Sequence, residues 1–207
     1  MARRSDHSRD ELYALVMDEA RNIIERDGMR GLTARSIATA IGYSPGTLYN
    51  LFDNLDDLAL QINGSTLDDL YETLSQQKRT GDPEADLRTL LHGYLGFLER
   101  NPALWGAIFD FRLPPESALP EWYLQKVRRL MSMVEDAIAP LFAPGEESEQ
   151  SQAAGVLWSS LHGISTLARD GRLSLVSGQS VPEMAESLIA NYLAGLRARA
   201  GKAAPHA

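Results

Sequence analysis

The sequence predicts an all-α fold. Apolar residues recur at helical spacing through nearly the whole chain, and no run alternates with a period of two for long enough to form a sheet. Glycine and proline clusters interrupt this pattern at intervals, as they do between helices. The composition agrees, because 44% hydrophobic and 23% charged residues are typical of a globular protein. The 207 residues suffice for one substantial core with a small appended module.

Three helices are predicted within the first fifty or so residues. The first begins with a capping box, Ser8-x-x-Glu11, and stops at Asp27-Gly28. The second is short; it opens at Thr33, whose hydroxyl can cap backbone N–H groups, and it breaks at Gly42.

The third predicted helix opens at Ser44. Pro45 then occupies the first helical position, where its missing N–H is harmless and its fixed φ is already helical. The inward face of this helix is formed by Leu48, Leu51 and Phe52. Asp53 is predicted to cap a longer fourth helix that runs from Leu55 toward Lys78.

Five further helices are predicted beyond the break at residues 81–83. Their expected ranges are 84–100, 102–112, 120–139, 149–170 and 182–199. Three regions follow from this reading. They are a three-helix domain at 1–54, a larger helical domain at 55–200, and a tail at 201–207 that is expected to be disordered.

Charge and composition limit the possible functions. Residues 1–52 carry seven arginines and seven acidic residues, so all of the net charge of -8 lies beyond them and nucleic-acid binding by this part is permitted. The chain has no cysteine, which excludes disulfides and thiolate metal sites and fits a reducing compartment. No segment approaches the roughly 20 apolar residues of a membrane span, so we expect a cytoplasmic protein without membrane association.

The first three predicted helices have the order of a helix-turn-helix module. A longer helix covers two short ones that are joined by a tight turn containing glycine, and the second short helix of such a module enters the major groove of DNA. Thr33 and Ser44 stand at helix N-termini, where N–H groups attract phosphate. Arg35 can reach a guanine edge or a phosphate, and Tyr49 offers a phenol one turn along the third helix.

Two segments of the first fifty-two residues form an ordered motif. They are Gly31-Leu32-Thr33-Ala34-Arg35-Ser36-Ile37-Ala38 and Ile41-Gly42-Tyr43-Ser44-Pro45-Gly46-Thr47-Leu48-Tyr49-Asn50-Leu51-Phe52. This motif resembles the N-terminal domain of the tetracycline repressor (TetR) family, and the resemblance spans roughly residues 8–58. The resemblance implies DNA contacts by Thr33, Arg35, Ser44, Pro45, Gly46, Thr47, Tyr49 and Asn50, with Arg3 and Arg4 as a flexible arm. Family members often carry lysines where this chain has Pro45 and Leu55, so we expect weaker nonspecific DNA binding.

The C-terminal part resembles the family in its helical pattern. Residues 157–164, Leu-Trp-Ser-Ser-Leu-His-Gly-Ile, look like the Trp-x-x-x-His-Gly signature of one subgroup. In the family the last two long helices pair in a four-helix dimer interface, and the middle helices enclose a ligand pocket. The resemblance thus implies a homodimer that binds double-stranded DNA at a palindromic operator and responds to a small molecule, with no cofactor.

Aromatic residues of the second domain predict a pocket for an apolar or aromatic effector. The expected ligand-binding residues are Tyr94, Trp105, Phe109, Trp122, Trp158 and His162. For His162 by itself, the sequence favours a structural role with a hydrogen bond inside the core over contact with a ligand. Since no carboxylate or second histidine stands beside it at ligand spacing, no metal site is expected.

Two other functions fit parts of the sequence. The fold could belong to a helical ligand-binding or adaptor protein that does not bind DNA, as the absent lysines allow. Residues 42–46 also have the Gly-x-Ser-x-Gly pattern of a hydrolase nucleophile elbow centred on Ser44, but the elbow needs a preceding strand, whereas residues 34–41 predict a helix. We therefore interpret the chain as a non-enzymatic, ligand-responsive transcriptional repressor with no catalytic residues.

Overall fold

A computed structural model of the chain describes residues 7–112 and 118–203, the last four of these as backbone only. Within these ranges it contains nine α-helices and no strand, which confirms the predicted all-α fold. The helices are α1 (Arg9–Asp27), α2 (Ala34–Ile41), α3 (Pro45–Leu48), α4 (Leu55–Ser75), α5 (Pro83–Arg100), α6 (Pro102–Asp110), α7 (Glu121–Ile138), α8 (Glu147–Arg169) and α9 (Val181–Ala203). Short 3-10 turns lie at Met29–Gly31, Ala139–Leu141 and Leu173–Leu175. None of the helices in the described ranges is long and apolar enough to cross a membrane.

The predicted helices agree with the observed ones to within a few residues, with one wrong cap. The fourth helix is not capped by Asp53. Instead the side-chain Oδ1 of Asn54 accepts a hydrogen bond from the N–H of Asp57 at 2.8 Å, and the N–H of Asp53 donates back to the Asp57 carboxylate at 3.1 Å. Asn54 directly precedes Leu55 and stands three residues before Asp57, which is the spacing of an N-cap residue and which Asp53 does not have. At the other end of the chain α9 continues to Ala203, three residues into the predicted tail.

Close packing of the Cα atoms divides the chain into two compact units. Unit 1 comprises residues 1–70 and 97–126, and unit 2 comprises residues 71–96 and 127–207, as far as each is described. These units are defined by packing, whereas the predicted domains at 1–54 and 55–200 are defined by role. That functional division stays a prediction.

Unit 1 is built around an apolar core to which α1, α2, α3, α4 and α6 contribute. The buried members are Val16, Ala20, Ile23, Ile24, Leu32, Ile37, Ala38, Leu48, Phe52, Leu58, Ala59, Ile62, Leu104 and Ala107. On α1 and α4 they recur three and four residues apart, so each of these two helices presents one apolar stripe to this core. The short helices α2 and α3 are thereby held on the longer α1 and α4, which leaves their other faces exposed.

Polar contacts of α4 supplement this core in unit 1. Arg21 of α1 donates to the Ser65 hydroxyl at 2.9 Å and to the Asp69 carboxylate at 2.6 Å. Lys126 forms an ion pair with Asp68, one residue away from Asp69. Arg21 of α1 and Lys126 of α7 thus bind adjacent carboxylates on α4.

Unit 2 is held by ion pairs between α5 and α9. Arg88 contacts Glu84 on its own helix and Glu186 on α9, both at 2.8 Å, and Arg197 on α9 reaches Glu84 at 3.0 Å. The two neighbouring guanidinium groups lower the pKa of the Glu84 carboxyl, that of Arg197 most strongly. The four side chains form one network that joins the start of α5 to α9, while α8 packs along α9.

Candidate DNA interface

The start of α2 is fixed by a capping box between Thr33 and Ser36. The Thr33 hydroxyl accepts a hydrogen bond from the N–H of Ser36 at 3.0 Å, and the Ser36 hydroxyl oxygen accepts one from the N–H of Thr33 at 3.1 Å. The Ser36 hydroxyl also lies 2.8 Å from the carbonyl oxygen of Gly31. The sequence predicts the cap at Thr33 but not the part that Ser36 takes in it. The signal for Ser36 is its position three residues after the N-cap, which is the spacing of a capping box.

The turn between α2 and α3 depends on Gly42. Its φ of 75° lies in the left-handed region, and its N–H donates to the carbonyl oxygens at the end of α2. The next N–H, of Tyr43, donates to the Ala38 carbonyl oxygen at 2.9 Å, which completes a Schellman motif. A Cβ atom at Gly42 would meet nothing within 4 Å, so glycine is required by its backbone conformation and not by lack of space.

Helix α3 begins at the predicted place and is only four residues long. Ser44 is its N-cap and Pro45 its first residue, while the N–H of Thr47 donates to the Ser44 carbonyl oxygen at 3.0 Å. Turns continue past the helix, because the N–H groups of Leu51 and Phe52 both donate to the Leu48 carbonyl oxygen. The inward face has the predicted members, with Leu48 and Phe52 buried and Leu51 half-buried.

The hydroxyl of Ser44 has a structural partner in this arrangement. It lies 3.1 Å from the Thr47 hydroxyl, and the segment before it is helix α2 and a turn. A nucleophile elbow requires a strand at that point. The geometry at Ser44 therefore differs from that of a hydrolase.

The predicted DNA-contacting residues lie close together along the chain and mostly at the surface. Thr33, Arg35, Ser44, Pro45, Gly46, Tyr49 and Asn50 are exposed, and Thr47 is half-buried. The ring of Tyr49 is 54% exposed although its neighbour Leu48 is buried. Within the described part of the chain, no carboxylate pairs with Arg35. Arg3 and Arg4 lie outside the described residues, and the DNA contacts themselves stay predictions.

Two aromatic contacts beside this surface could not be read from the sequence. The imidazole Nδ1 of His7 is hydrogen-bonded to the hydroxyl of Tyr43 at 2.7 Å. The ring of Tyr13 on α1 is stacked on that of Phe52, with centroids 5.1 Å apart. Partial burial, and then the negative charge of Asp57, raise the pKa of Tyr13. Both contacts join the start of the chain to the helix-turn-helix segment.

The predicted ligand-binding residues are divided between the two units. In unit 1, Trp105 is buried and meets Phe97 and Phe109 edge-on, with ring centroids 6.2 Å and 5.3 Å apart. Trp122 lies over Gly64, where a Cβ atom would be 2.6 Å from the Trp122 ring, so a larger residue at position 64 would displace it. Tyr94, Trp158 and His162 belong to unit 2.

His162 takes part in local contacts on α8. Its ring is stacked on that of Trp158 at 5.2 Å, and its Nε2 lies 3.2 Å from the Thr166 hydroxyl. Burial, and then the charge of Arg169, lower the pKa of His162, so its ring is neutral near pH 7. These contacts support the structural interpretation of His162, and its role in ligand binding stays a prediction. In the described ranges no group of three or more His, Cys, Asp or Glu side chains is placed to hold a metal ion.

Two family models match the chain. One, described as "Bacterial regulatory proteins, tetR family", matches residues 16–62. The other, described as "Tetracyclin repressor-like, C-terminal domain", matches residues 87–192. The first match includes all of α2 and α3, and the second covers about half of the chain.

The chain is also similar to individual proteins and to solved structures. The chain is 28% identical over 168 residues to an uncharacterized HTH-type transcriptional regulator of Mycobacterium tuberculosis, Rv0681, a match that covers 80% of this chain and 74% of that protein. Among solved structures it is similar to a protein of unknown function from Rhodococcus sp. RHA1, with a TM-score of 0.74, 21% identity, and coverage of 94% and 99% of the two chains. A TetR-family transcriptional regulator from Streptomyces coelicolor has a TM-score of 0.64 at 17% identity, with coverage of 91% and 99%. At such identities the two solved structures establish the fold.

Proposed function

Because the chain belongs to the TetR family of bacterial regulatory proteins, we propose that this DNA-binding transcriptional regulator is a homodimeric repressor that a small molecule releases from a palindromic operator. It acts on double-stranded DNA in the cytoplasm. The observation that carries the proposal is the polar surface around α2 and α3, where Arg35 and Tyr49 are exposed while Ile37 of α2 and Leu48 of α3 are buried.

This surface has the chemistry that operator recognition needs. A guanidinium can donate two parallel hydrogen bonds to a guanine edge, and a phenol can bond a phosphate or a base. The backbone beneath is held by the Thr33 capping box and the Gly42 turn, so Arg35 and Tyr49 are presented from a fixed frame. Fixed presentation lowers the entropic cost of binding.

The homodimer is supported by an apolar stripe on α8. Val156 is 43% exposed and Leu167 is 36% exposed, and Ser160 and Gly163 lie between them at helical spacing. A Cβ atom added at Gly163 or Gly155 would meet nothing within 4 Å, so this face of α8 leaves room for a close approach by another helix. Such a surface of small and apolar residues suits helix pairing between two copies. Two copies would place their α3 helices about one helical turn apart, some 34 Å, on B-DNA.

The proposed effector is an apolar or aromatic small molecule that binds among the central helices. It would release the operator by binding more tightly to the conformation that does not fit DNA, since only such a preference shifts the equilibrium. The aromatic contacts that support this proposal are that of Trp105 with Phe109 in unit 1 and, separately, that of Trp158 with His162 in unit 2.

A band-shift assay with DNA from the region upstream of the gene tests the proposal. Arg35→Ala and Tyr49→Ala should each weaken binding by roughly 5- to 100-fold, the cost of losing one specific contact. Arg172→Ala, which removes an exposed charge outside the helix-turn-helix segment, is the matched control and should bind as the parent does. Size-exclusion chromatography with light scattering should give a dimer for all four proteins. If none of them binds the upstream DNA at any salt concentration, an adaptor role replaces the proposed one.

A further inference from the structure

We propose that Asn63 recognises the effector, and that the effector is a neutral molecule with an amide group on an apolar body. The proposal rests on the function proposed above and names the chemical class of its effector. Its basis is the side chain of Asn63 on α4, which is fully buried in unit 1. Across residues 7–112 and 118–203, neither the Nδ2 nor the Oδ1 atom of Asn63 has a hydrogen-bond partner.

The neighbours of Asn63 on α4 are buried and mostly apolar. Ile62 directly precedes it and is buried. Leu67 and Leu70 follow four and seven residues later on the same face of the helix, and both are buried as well. Thr66 is also polar and buried, but its hydroxyl donates to the Ile62 carbonyl oxygen at 3.0 Å. The helix thus satisfies Thr66 by itself and leaves the amide of Asn63 for another partner.

A leucine at position 63 would suit the fold better than asparagine does. It would continue the apolar face of α4, and it has the higher helix propensity. A buried amide without partners lowers stability, so the packing of unit 1 does not account for it. Binding residues commonly lower stability in this way, because they are arranged for a molecule that the free protein does not hold.

The chemistry of the Asn63 amide determines which group can pair with it. Its Nδ2 donates and its Oδ1 accepts, so a matching group offers an acceptor and a donor side by side. A carboxamide or a lactam does this and forms two parallel hydrogen bonds with the side chain. A ketone or an ester accepts one bond and leaves Oδ1 buried without a donor, which weakens binding. The apolar neighbours select an apolar or aromatic body for the rest of the molecule.

The charges against this part of α4 favour a neutral molecule. Arg21 of α1 and Lys126 of α7 both reach the helix, but they are paired with its carboxylates Asp69 and Asp68. An anion at Asn63 would therefore gain no counter-charge from these two cations, and a buried charge without a counter-charge is costly. An amide offers strong hydrogen bonds without that cost.

The residue after Asn63 lies under a side chain that can open this part of α4. Trp122 of α7 covers Gly64 so closely that a Cβ atom there would be 2.6 Å from the Trp122 ring. Trp122 is only half-buried, and a side chain at the surface changes its rotamer more readily than one in the core. Its movement would give a molecule access to α4 beside Asn63, and its ring can then stack on an aromatic body.

Three probes of one shape, substituted at the same ring carbon, test this class of effector by isothermal titration calorimetry. Naphthamide offers a donor and an acceptor, acetylnaphthalene offers an acceptor only, and naphthoate is an anion. The parent protein should bind naphthamide roughly 10- to 100-fold more tightly than either of the others, as expected for one or two hydrogen bonds in a buried site. In fluorescence anisotropy, naphthamide should also release the upstream DNA from the parent.

The matched variants are Asn63→Leu and Gln61→Leu. Asn63→Leu removes the buried amide, so it should bind naphthamide no more tightly than acetylnaphthalene. It should still bind the upstream DNA, and naphthamide should no longer release that DNA. Gln61→Leu removes a half-buried amide from the same helix and should keep the preference of the parent. Loss of this preference in a folded, DNA-binding variant distinguishes recognition from support of the fold.

Two results would overturn the role of Asn63. One is a parent protein that binds the three probes equally or binds none of them, and the other is an Asn63→Leu variant that keeps the preference for naphthamide. The proposed function is tested separately by the DNA. A parent that prefers naphthamide but binds no upstream DNA would support the role of Asn63 and contradict the repressor. A parent that binds the DNA without a preference among the probes would do the reverse.

Discussion

The helix-turn-helix segment of unit 1 and the contact of α5 with α9 in unit 2 are stabilised over very different distances along the chain. At Thr33–Ser36 and at the Gly42 turn, each hydrogen bond joins residues at most five positions apart. In unit 2, Arg88 pairs with Glu186 across 98 positions and Arg197 with Glu84 across 113. Because hydrogen bonds between near neighbours stabilise the helix-turn-helix segment, Arg35 and Tyr49 are not needed for its stability and lie at the surface of unit 1. In unit 2, by contrast, charged side chains of α5 and α9 pair with each other and hold the two helices together.

A second difference concerns the buried polar groups of the two units. Asp86 in unit 2 is 4% exposed, and its carboxylate accepts hydrogen bonds from the N–H groups of Thr80 and Gly81 and from the Thr80 hydroxyl. Asn63 in unit 1 is fully buried, and neither polar atom of its side chain has a hydrogen-bond partner among the residues that the structure describes. The Asp86 charge is thus satisfied by hydrogen bonds, whereas the Asn63 amide is unsatisfied and costs stability.

Among the variants that test this difference between the two regions, Gly42→Val is expected to lose the most stability. A β-branched residue with a φ of 75° is strained, so the free energy of unfolding should fall by about 1 to 3 kcal/mol and the affinity for upstream DNA should fall with it. Gly96→Ala is the control, because a Cβ atom there meets nothing within 4 Å and the residue is helical. Urea titration of both variants measures the difference. A Gly42→Val protein as stable as the Gly96→Ala control would show that the turn is not held by local backbone conformation.

The next effect is expected at Asp86 and depends on pH. Hydrogen bonds from the Thr80 backbone above all, with those from the Thr80 hydroxyl and the Gly81 backbone, lower the pKa of Asp86. A carboxyl with a lowered folded-state pKa contributes stability that is present above its unfolded pKa of about 3.9 and is lost as the pH falls through the folded value.

Asp86→Asn should therefore lower the free energy of unfolding near neutral pH by about 1 to 3 kcal/mol. The difference from the parent should shrink as the pH falls below about 4. Asp18→Asn, an exposed carboxyl on α1, should change stability little at either pH. Denaturant titrations over this pH range give the comparison, and an Asp86→Asn deficit that does not depend on pH contradicts it.

Asn63→Leu should have an effect of opposite sign. Replacing an unsatisfied buried amide by an apolar group of similar shape should raise the free energy of unfolding by up to about 2 kcal/mol. Asn101→Leu is the matched control, since the Asn101 amide donates to the Phe97 carbonyl oxygen at 3.0 Å and its removal should be destabilising. Thermal unfolding measures the two midpoints, which should rise for Asn63→Leu and fall for Asn101→Leu. A lower midpoint for Asn63→Leu would show that its amide is satisfied in the folded protein.

The smallest effect is expected for the ion pair of Glu84 and Arg197. Both side chains are partly exposed, so Glu84→Gln and Arg197→Gln should each change stability only slightly, and the coupling between them should diminish as salt is added. A double-mutant cycle at low and high salt measures that coupling. A large coupling that salt does not screen would show that the long-range contacts of unit 2 are stronger than surface ion pairs.

The predictable parts of the molecule are those that depend on near neighbours in sequence. The capping box of α1, the cap at Thr33, the left-handed Gly42 and Pro45 at the start of α3 follow from residue types at short spacing, and the structure contains all four. The wrong cap at Asp53 has the same origin, because Asp53 and Asn54 are both good cap residues and the sequence gives no way to choose between them.

Contacts between distant residues could not be predicted. Nothing near His7 indicates that it meets Tyr43, and Asn63 stands in a helical pattern where an amide would usually face water. The aromatic residues proposed for ligand binding were chosen by composition, which does not determine whether their side chains converge. The helix-turn-helix surface was accessible to sequence analysis because a short ordered motif specifies it.

Hydroxyl-radical footprinting of the upstream DNA tests the central claim most directly. The parent protein should protect two half-sites centred about 10 base pairs apart, as a dimer with two α3 helices requires. Both protected regions should disappear together in Arg35→Ala and Tyr49→Ala at a protein concentration where the Arg172→Ala control still protects them. A footprint that persists unchanged in the Arg35 and Tyr49 variants, or protection at one site only, would contradict recognition by a pair of helix-turn-helix surfaces.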